Sequence, residues 1–282
     1  MKRRKNTQFY PHMENSVEPA SITKRNDVRI SRIRALQQRQ FRDEERSFFC
    51  EGTRFLIRAF EQGTHIKYCV YASELFTGRY SHKLINRLER HGIPTLRVSK
   101  ELFLSISMAD EPSGLMAICG QQLRRLSKLN SSIGLWLALE AVRSPGNLGT
   151  IIRTCDAVGV AGIILLDPSI DPYHPATVRA SMGSIFSVDL VRASFEEFRA
   201  WAKRNVFHIV GASPSGRIDY RSTSFKAVSI VLVMGSERKG LRPELQKQCN
   251  AIVRIPMENS VDSLNLAVAT GVLLYEAFGQ RS

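Results

Sequence analysis

Six short apolar runs at 135–139, 163–166, 188–191, 207–211, 229–234 and 252–255 alternate with helix-forming stretches, and this pattern constrains the fold more than any other feature of the sequence. Helices are expected to open near Asn147, Pro175, Ser194 and Arg242, and a closing one to run over 264–278. Each run is strand-sized and far short of the roughly 20 uncharged apolar residues of a membrane span. The alternation predicts an α/β unit over 134–282, a mostly parallel sheet with helices on both faces. Ligands of such sheets sit beyond the carboxyl ends of the strands, so the loops there are the place to look for chemistry.

The first half reads as a smaller α/β domain over 27–120, joined to the second by a polar linker at 121–133 and preceded by a mobile basic arm at 1–26. Residues 27–46 are dense in arginine, with Ile30, Ile33, Leu36 and Phe41 spaced as one amphipathic helix would space them. A strand at 47–50, helices at 53–62 and near 81–91, and strand-like pieces at 66–71 and 95–98 follow. Charge separates the halves, since residues 1–130 hold 24 Lys and Arg against 13 Asp and Glu, and the remainder 16 against 13. Such a basic excess favours a polyanion, nucleic acid above all, because neutralised phosphates release their counterions. Arg29, Arg32, Arg34, Arg39, Arg42 and Arg54 are the candidate RNA-binding side chains.

Three loops at strand ends carry polar and small residues beyond what a plain connection needs. At 140–154 the chain leaves a strand through a Pro-Gly turn into a helix that Asn147 can cap, with Arg153 about two turns further on. A helix start plus an arginine suits a phosphate. At 233–241, Gly235 and Gly240 bracket Glu237, a carboxylate able to pair with Arg153. At 255–269, Ser263 can cap the closing helix with Asn265 in its first turn.

Taken together, in this order and spacing, PGNLGTIIRT at 145–154, GSE…GL at 235–241, IPM…SVDSLN at 255–265 and RASMGS at 179–184 resemble the motifs of the SpoU (TrmH-like) RNA 2′-O-ribose methyltransferases of the SPOUT class. The first half is similar to the ribosomal-protein-like substrate-binding domain of such enzymes, chiefly through FCEGTR at 49–54 and the arginine-rich segment before it. The resemblance implies a deep trefoil knot, a homodimer that completes the site, and S-adenosylmethionine as methyl donor. It places the donor against Gly235, Ile255 and Leu264, with Ala212, Ser213 and Met234 beside it. It makes Arg153, Asn147, Glu237, Ser263 and Asn265 the reaction centre. Asn259 and Arg238 stand where the family often has glycine.

The expected reaction is methylation of a ribose 2′-hydroxyl in structured RNA, ribosomal RNA ahead of tRNA, with no metal. A non-catalytic RNA binder of the same fold is the rival from another class. A nicotinamide-dependent enzyme is disfavoured because no G-x-G-x-x-G opens the first helix after residue 134. Five scattered cysteines without CxxC spacing argue against a zinc site or disulfide framework and suit a reducing cytoplasm.

Overall fold

The computed structural model describes residues 24–129, 133–236, 239–258 and 263–281. In chain order these form α1 (Val28–Ala35), α2 (Arg39–Glu44), β1 (Ser47–Glu51), α3 (Thr53–Glu61), β2 (Ile66–Tyr71), α4 (Arg79–Arg90), β3 (Thr95–Arg97), α5 (Lys100–Leu104) and β4 (Leu115–Gly120). There follow β5 (Leu123–Arg125), β6 (Gly134–Leu139), α6 (Pro145–Val158), β7 (Gly162–Leu165), α7 (Pro175–Ala180), β8 (Leu190–Arg192), α8 (Phe195–Arg204) and β9 (His208–Ala212). The last are β10 (Ile218–Asp219), β11 (Ser229–Met234), α9 (Pro243–Gln246), β12 (Ala251–Arg254) and α10 (Leu266–Arg281).

The chain divides into two compact units, one made of residues up to 121 together with 173–186, the other of 122–172 and 187–282. In the first unit, a four-stranded sheet runs in the order β1-β4-β2-β3, with β4 antiparallel to both of its neighbours and β3 parallel to β2. Ile30, Ile33 and Leu36 of the α1 segment are buried in one core with Phe49, Val70, Phe103 and Ile118. The single helix expected over 27–46 is two, broken at 36–38, because Leu36 turns inward to this core and Phe41 does not. Arg42 holds the break: it is buried, and its Nη1 donates to the carbonyls of Leu36 and Gln37, both at 2.8 Å. The segment 173–186 is anchored here by Phe48, whose ring lies 4.7 Å from that of Tyr173 and 6.1 Å from that of Phe186.

The second unit is built on an eight-stranded sheet in the order β10-β12-β9-β11-β6-β7-β8-β5, and every pairing in it is parallel. Residues 121–133, expected to be a linker, contribute the edge strand β5. One sheet face, with Trp136, Ala138, Val231 and Val233, packs on Phe198 and Trp201 of α8, on Leu241 and on Leu245 of α9. Alternate residues such as Leu135, Leu137 and Leu139 point the other way and are buried as well, on the side where α6 and α10 pack together. Trp201 ties this core across its width, edge-on to Trp136 at 5.3 Å and stacked on Phe207 at 4.4 Å.

Candidate functional site

The carboxyl ends of β9, β11 and β12 open into a cavity of about 360 Å³, which is ligand-sized. Ala212 ends β9 and leads into Ser213, Pro214 and Ser215; Met234 ends β11 and leads into Gly235 and Ser236. Ile255 and Met257 follow β12, and Ser263, Leu264, Leu266 and Ala269 close the space from the start of α10. Lys239 is the one charged side chain among the described residues that line it, so the walls offer mainly apolar surface and strand-end backbone groups.

The loop after β11 owes its shape to two glycines. Ser236 and Gly240 exchange backbone hydrogen bonds, each N–H donating to the other's carbonyl at 3.0 Å, and the Lys239 N–H donates to Ser236 Oγ at 3.0 Å. A Cβ on Gly235 would stand 2.2 Å from the Gly240 carbonyl carbon, which excludes a side chain there, while the φ of +63° at Gly240 disfavours one by backbone strain.

Two capping assignments differ from the sequence reading. Ser144, not Asn147, caps α6, its hydroxyl accepting from the Asn147 N–H at 3.3 Å with Pro145 at the first helical position. This leaves the Asn147 amide for another task, and its Oδ1 accepts from Asn265 Nδ2 at 3.1 Å. Asn265, not Ser263, caps α10, its Oδ1 accepting from the N–H groups of Ala267 at 2.9 Å and Val268 at 3.3 Å. One asparagine therefore starts α10 and links it to α6, while Ser263 is freed to line the cavity.

All six positions assigned to the donor, Gly235, Ile255, Leu264, Ala212, Ser213 and Met234, line this cavity. Of the five reaction-centre positions, Ser263 lines it, Asn147 and Asn265 meet beside it, and Glu237 lies outside the described residues, as do Arg238 and Asn259. Arg153 stands apart from the lining, exposed on α6 in one stripe with Gly146, Thr150 and Ala157. Lys239 and the Pro214–Ser215 turn were missed; a lysine inside a motif otherwise read for its glycines was the available signal.

The candidate RNA-binding arginines separate sharply. Arg42 is inside the first unit's core and leaves the set. Arg29 pairs with Asp27 at 2.9 Å, Arg32 with Glu45 at 2.8 Å and Arg39 with Asp43 at 3.3 Å. Hydrogen bonding from Arg29 holds the Asp27 carboxyl down at about 2. Arg34 donates to Ser105 Oγ at 2.9 Å and to the Arg25 carbonyl at 3.2 Å, and Arg54 is exposed at the start of α3.

A wholly parallel sheet with a ligand-sized cavity beyond its strand ends, closed by the last helix, defines an α/β protein with a small-molecule site in its second unit. The chain belongs to the SpoU rRNA methylase family, whose description matches residues 134–275, and residues 27–117 match the MRM3-like substrate binding domain. It is 31% identical over 271 residues to an uncharacterized tRNA/rRNA methyltransferase of Synechocystis, covering 93% of this chain and 94% of that one. It is 30% identical to the 23S rRNA (uridine(2479)-2′-O)-methyltransferase of Streptomyces viridochromogenes, over 92% of each chain. Its fold is similar to the AdoMet-bound rRNA methyltransferase of Sinorhizobium meliloti, with a TM-score of 0.83 and 38% identity over 91% of this chain and 96% of that one.

Proposed function

We propose that this protein transfers the methyl group of S-adenosylmethionine to a ribose 2′-hydroxyl in structured RNA, with ribosomal RNA as its substrate. The observation that carries this reading is that one cavity is lined by every residue the family resemblance assigns to the donor. Its chemistry fits: apolar walls from Met234, Ile255, Leu264 and Leu266 suit a purine ring, and strand-end backbone groups suit the purine's polar edge and the ribose. When bound there, the donor supplies a methyl group already activated on a sulfonium. The chain's own residues then have mainly to position the hydroxyl. Arg153 clamps the substrate phosphate and stabilises the developing alkoxide; a guanidinium holds its proton too firmly to be a good base but is a good forked donor. Asn147, Asn265 and Glu237 orient it, and Ser263 faces the substrate from the cavity wall.

The reading includes a homodimer. Val268, Tyr275 and Phe278 of α10 are 53%, 56% and 45% exposed, in line with Leu264 at the cavity rim, and such an apolar stripe suits a second copy. α6, which bears the exposed Arg153, packs against α10, and in this reading the partner is the body against which Arg153 acts. The trefoil knot joins the proposal, supported by a strand order in which β12 lies beyond β9 while α10 returns to α6. A cytoplasmic location is supported by five free cysteines, four of them buried, and among the described residues no helix is long and apolar enough to cross a membrane.

Calorimetry with S-adenosylmethionine tests the first step, since a pure RNA binder gives no heat. Mapping ribose methylation in a deletion strain tests the second: a mark missing from rRNA is expected, one missing only from tRNA would move the substrate, and none missing would sink the proposal.

A further inference from the structure

We infer that the RNA-phosphate contact surface of the first unit is the outer face of α4, formed by Arg79, Lys83, Arg87 and Arg90, and not the arginine-rich segment 27–46. This rests on the reading above that the substrate is RNA. At 100° per residue the four cations fall within about 80° of arc, and they span roughly 16 Å along the axis. Ser81, Leu84, Ile85 and Leu88 form the opposite, buried face of the helix, so the ridge points to solvent. All four cations are exposed, and among the described residues none has a carboxylate partner. The one acid in α4 lies off the ridge, where Glu89 accepts from the Thr95 hydroxyl at 2.6 Å.

The contrast with α1 and α2 decides between the two surfaces. There each of Arg29, Arg32 and Arg39 comes with its own carboxylate within 3.3 Å, so a phosphate has to displace a bound acid from each of the three. On α4 the charge is uncompensated and partly ordered: the Arg87 guanidinium lies 4.8 Å above the Phe60 ring, which fixes its plane, and Arg90 Nε donates to the Asn86 carbonyl. Tyr80, 56% exposed, stands one turn before Lys83 and Leu84 at the edge of the ridge, a ring on which an unpaired base can stack. A row of cations beside an exposed aromatic ring is the chemistry of a structured RNA loop.

The test uses the full chain and a labelled RNA stem–loop, with affinity measured by anisotropy from about 50 to 200 mM salt. One variant carries Arg79→Gln, Lys83→Gln and Arg90→Gln; Arg87 is kept because it packs on Phe60. The other carries Arg29→Gln, Arg32→Gln and Arg39→Gln and loses the same charge elsewhere. Three lost phosphate contacts should flatten the slope of log K against log salt by about 2 in the α4 variant, and the second variant should change it by less than about 1. Equal flattening in both, flattening in the second alone, or no flattening in either overturns the assignment. Unchanged thermal melting shows that both variants fold. Donor binding by the same proteins is measured separately, so its absence would sink the methyl-transfer reading without touching the RNA result.

Discussion

At the residue scale, the cavity depends on a place where a side chain cannot be added. Gly235→Ala puts a methyl carbon 2.2 Å from Gly240, so the loop after β11 must open and the donor wall with it. Donor binding should weaken at least about tenfold, roughly 1.4 kcal/mol, which calorimetry reads directly. An unchanged affinity would show that this loop takes no part in the wall. Behind β9, Cys249 packs against Gly211, where an added Cβ would come within 2.7 Å of its sulfur, and burial pushes its thiol up to about 11. The thiolate is the reactive form, so at pH 8 alkylation should run on the order of a hundredfold slower than for an ordinary exposed cysteine. Peptide mapping after iodoacetamide treatment checks this. Gly235 was legible in the sequence because a glycine directly beyond a strand end marks a turn or a close backbone approach. Cys249 was not, because its environment is made by residues 38 positions away.

At the element scale, the three strand-end loops could be read from punctuation by Pro, Gly, Asn and Ser, and the parallel sheet from the alternation itself. What the punctuation left open was which of two polar residues caps each helix. Ser144 and Asn147 at the start of α6, and Ser263 and Asn265 before α10, are each acceptable on local grounds. The choice is made across 118 residues, by the bond from Asn265 to Asn147 that only the packing of α6 on α10 can form. Asn265→Ala removes both that bond and the cap, and should cost about 1–2 kcal/mol and lower Tm by a few degrees. Asn265→Asp keeps the cap acceptor and loses the amide donor, so it should recover most of the stability while breaking the bond to Asn147. If both variants melted together, the cap would have no separate weight. The same remoteness hid the broken helix at 36–38 and the place of residues 173–186, since Phe48 and Tyr173 meet from opposite halves of the sequence.

At the scale of the whole molecule, the geometry separates Arg153 from the cavity it is proposed to serve, and a second copy is the means proposed to reunite them. Replacing Tyr275 and Phe278 by glutamate places charge in the exposed α10 stripe and should give a monomer by sedimentation, with turnover lost and the melting temperature of the monomer little changed. A sharper experiment mixes two impaired proteins at a donor concentration too low for the weakened cavity to fill. Arg153→Ala keeps the cavity and loses the clamp; Gly235→Ala keeps the clamp and loses the cavity wall. If each site takes its cavity from one protomer and Arg153 from the other, a mixed dimer contains one site with both defects and one with neither. Random exchange at equal concentrations makes half the dimers mixed, so activity should rise to about a quarter of wild type, above that of either parent at the same donor concentration. If Arg153 instead serves the cavity of its own chain, both sites of a mixed dimer carry a defect and nothing returns. Because no side chain is added or removed between parents and mixture, recovered turnover can come only from a site assembled across two chains.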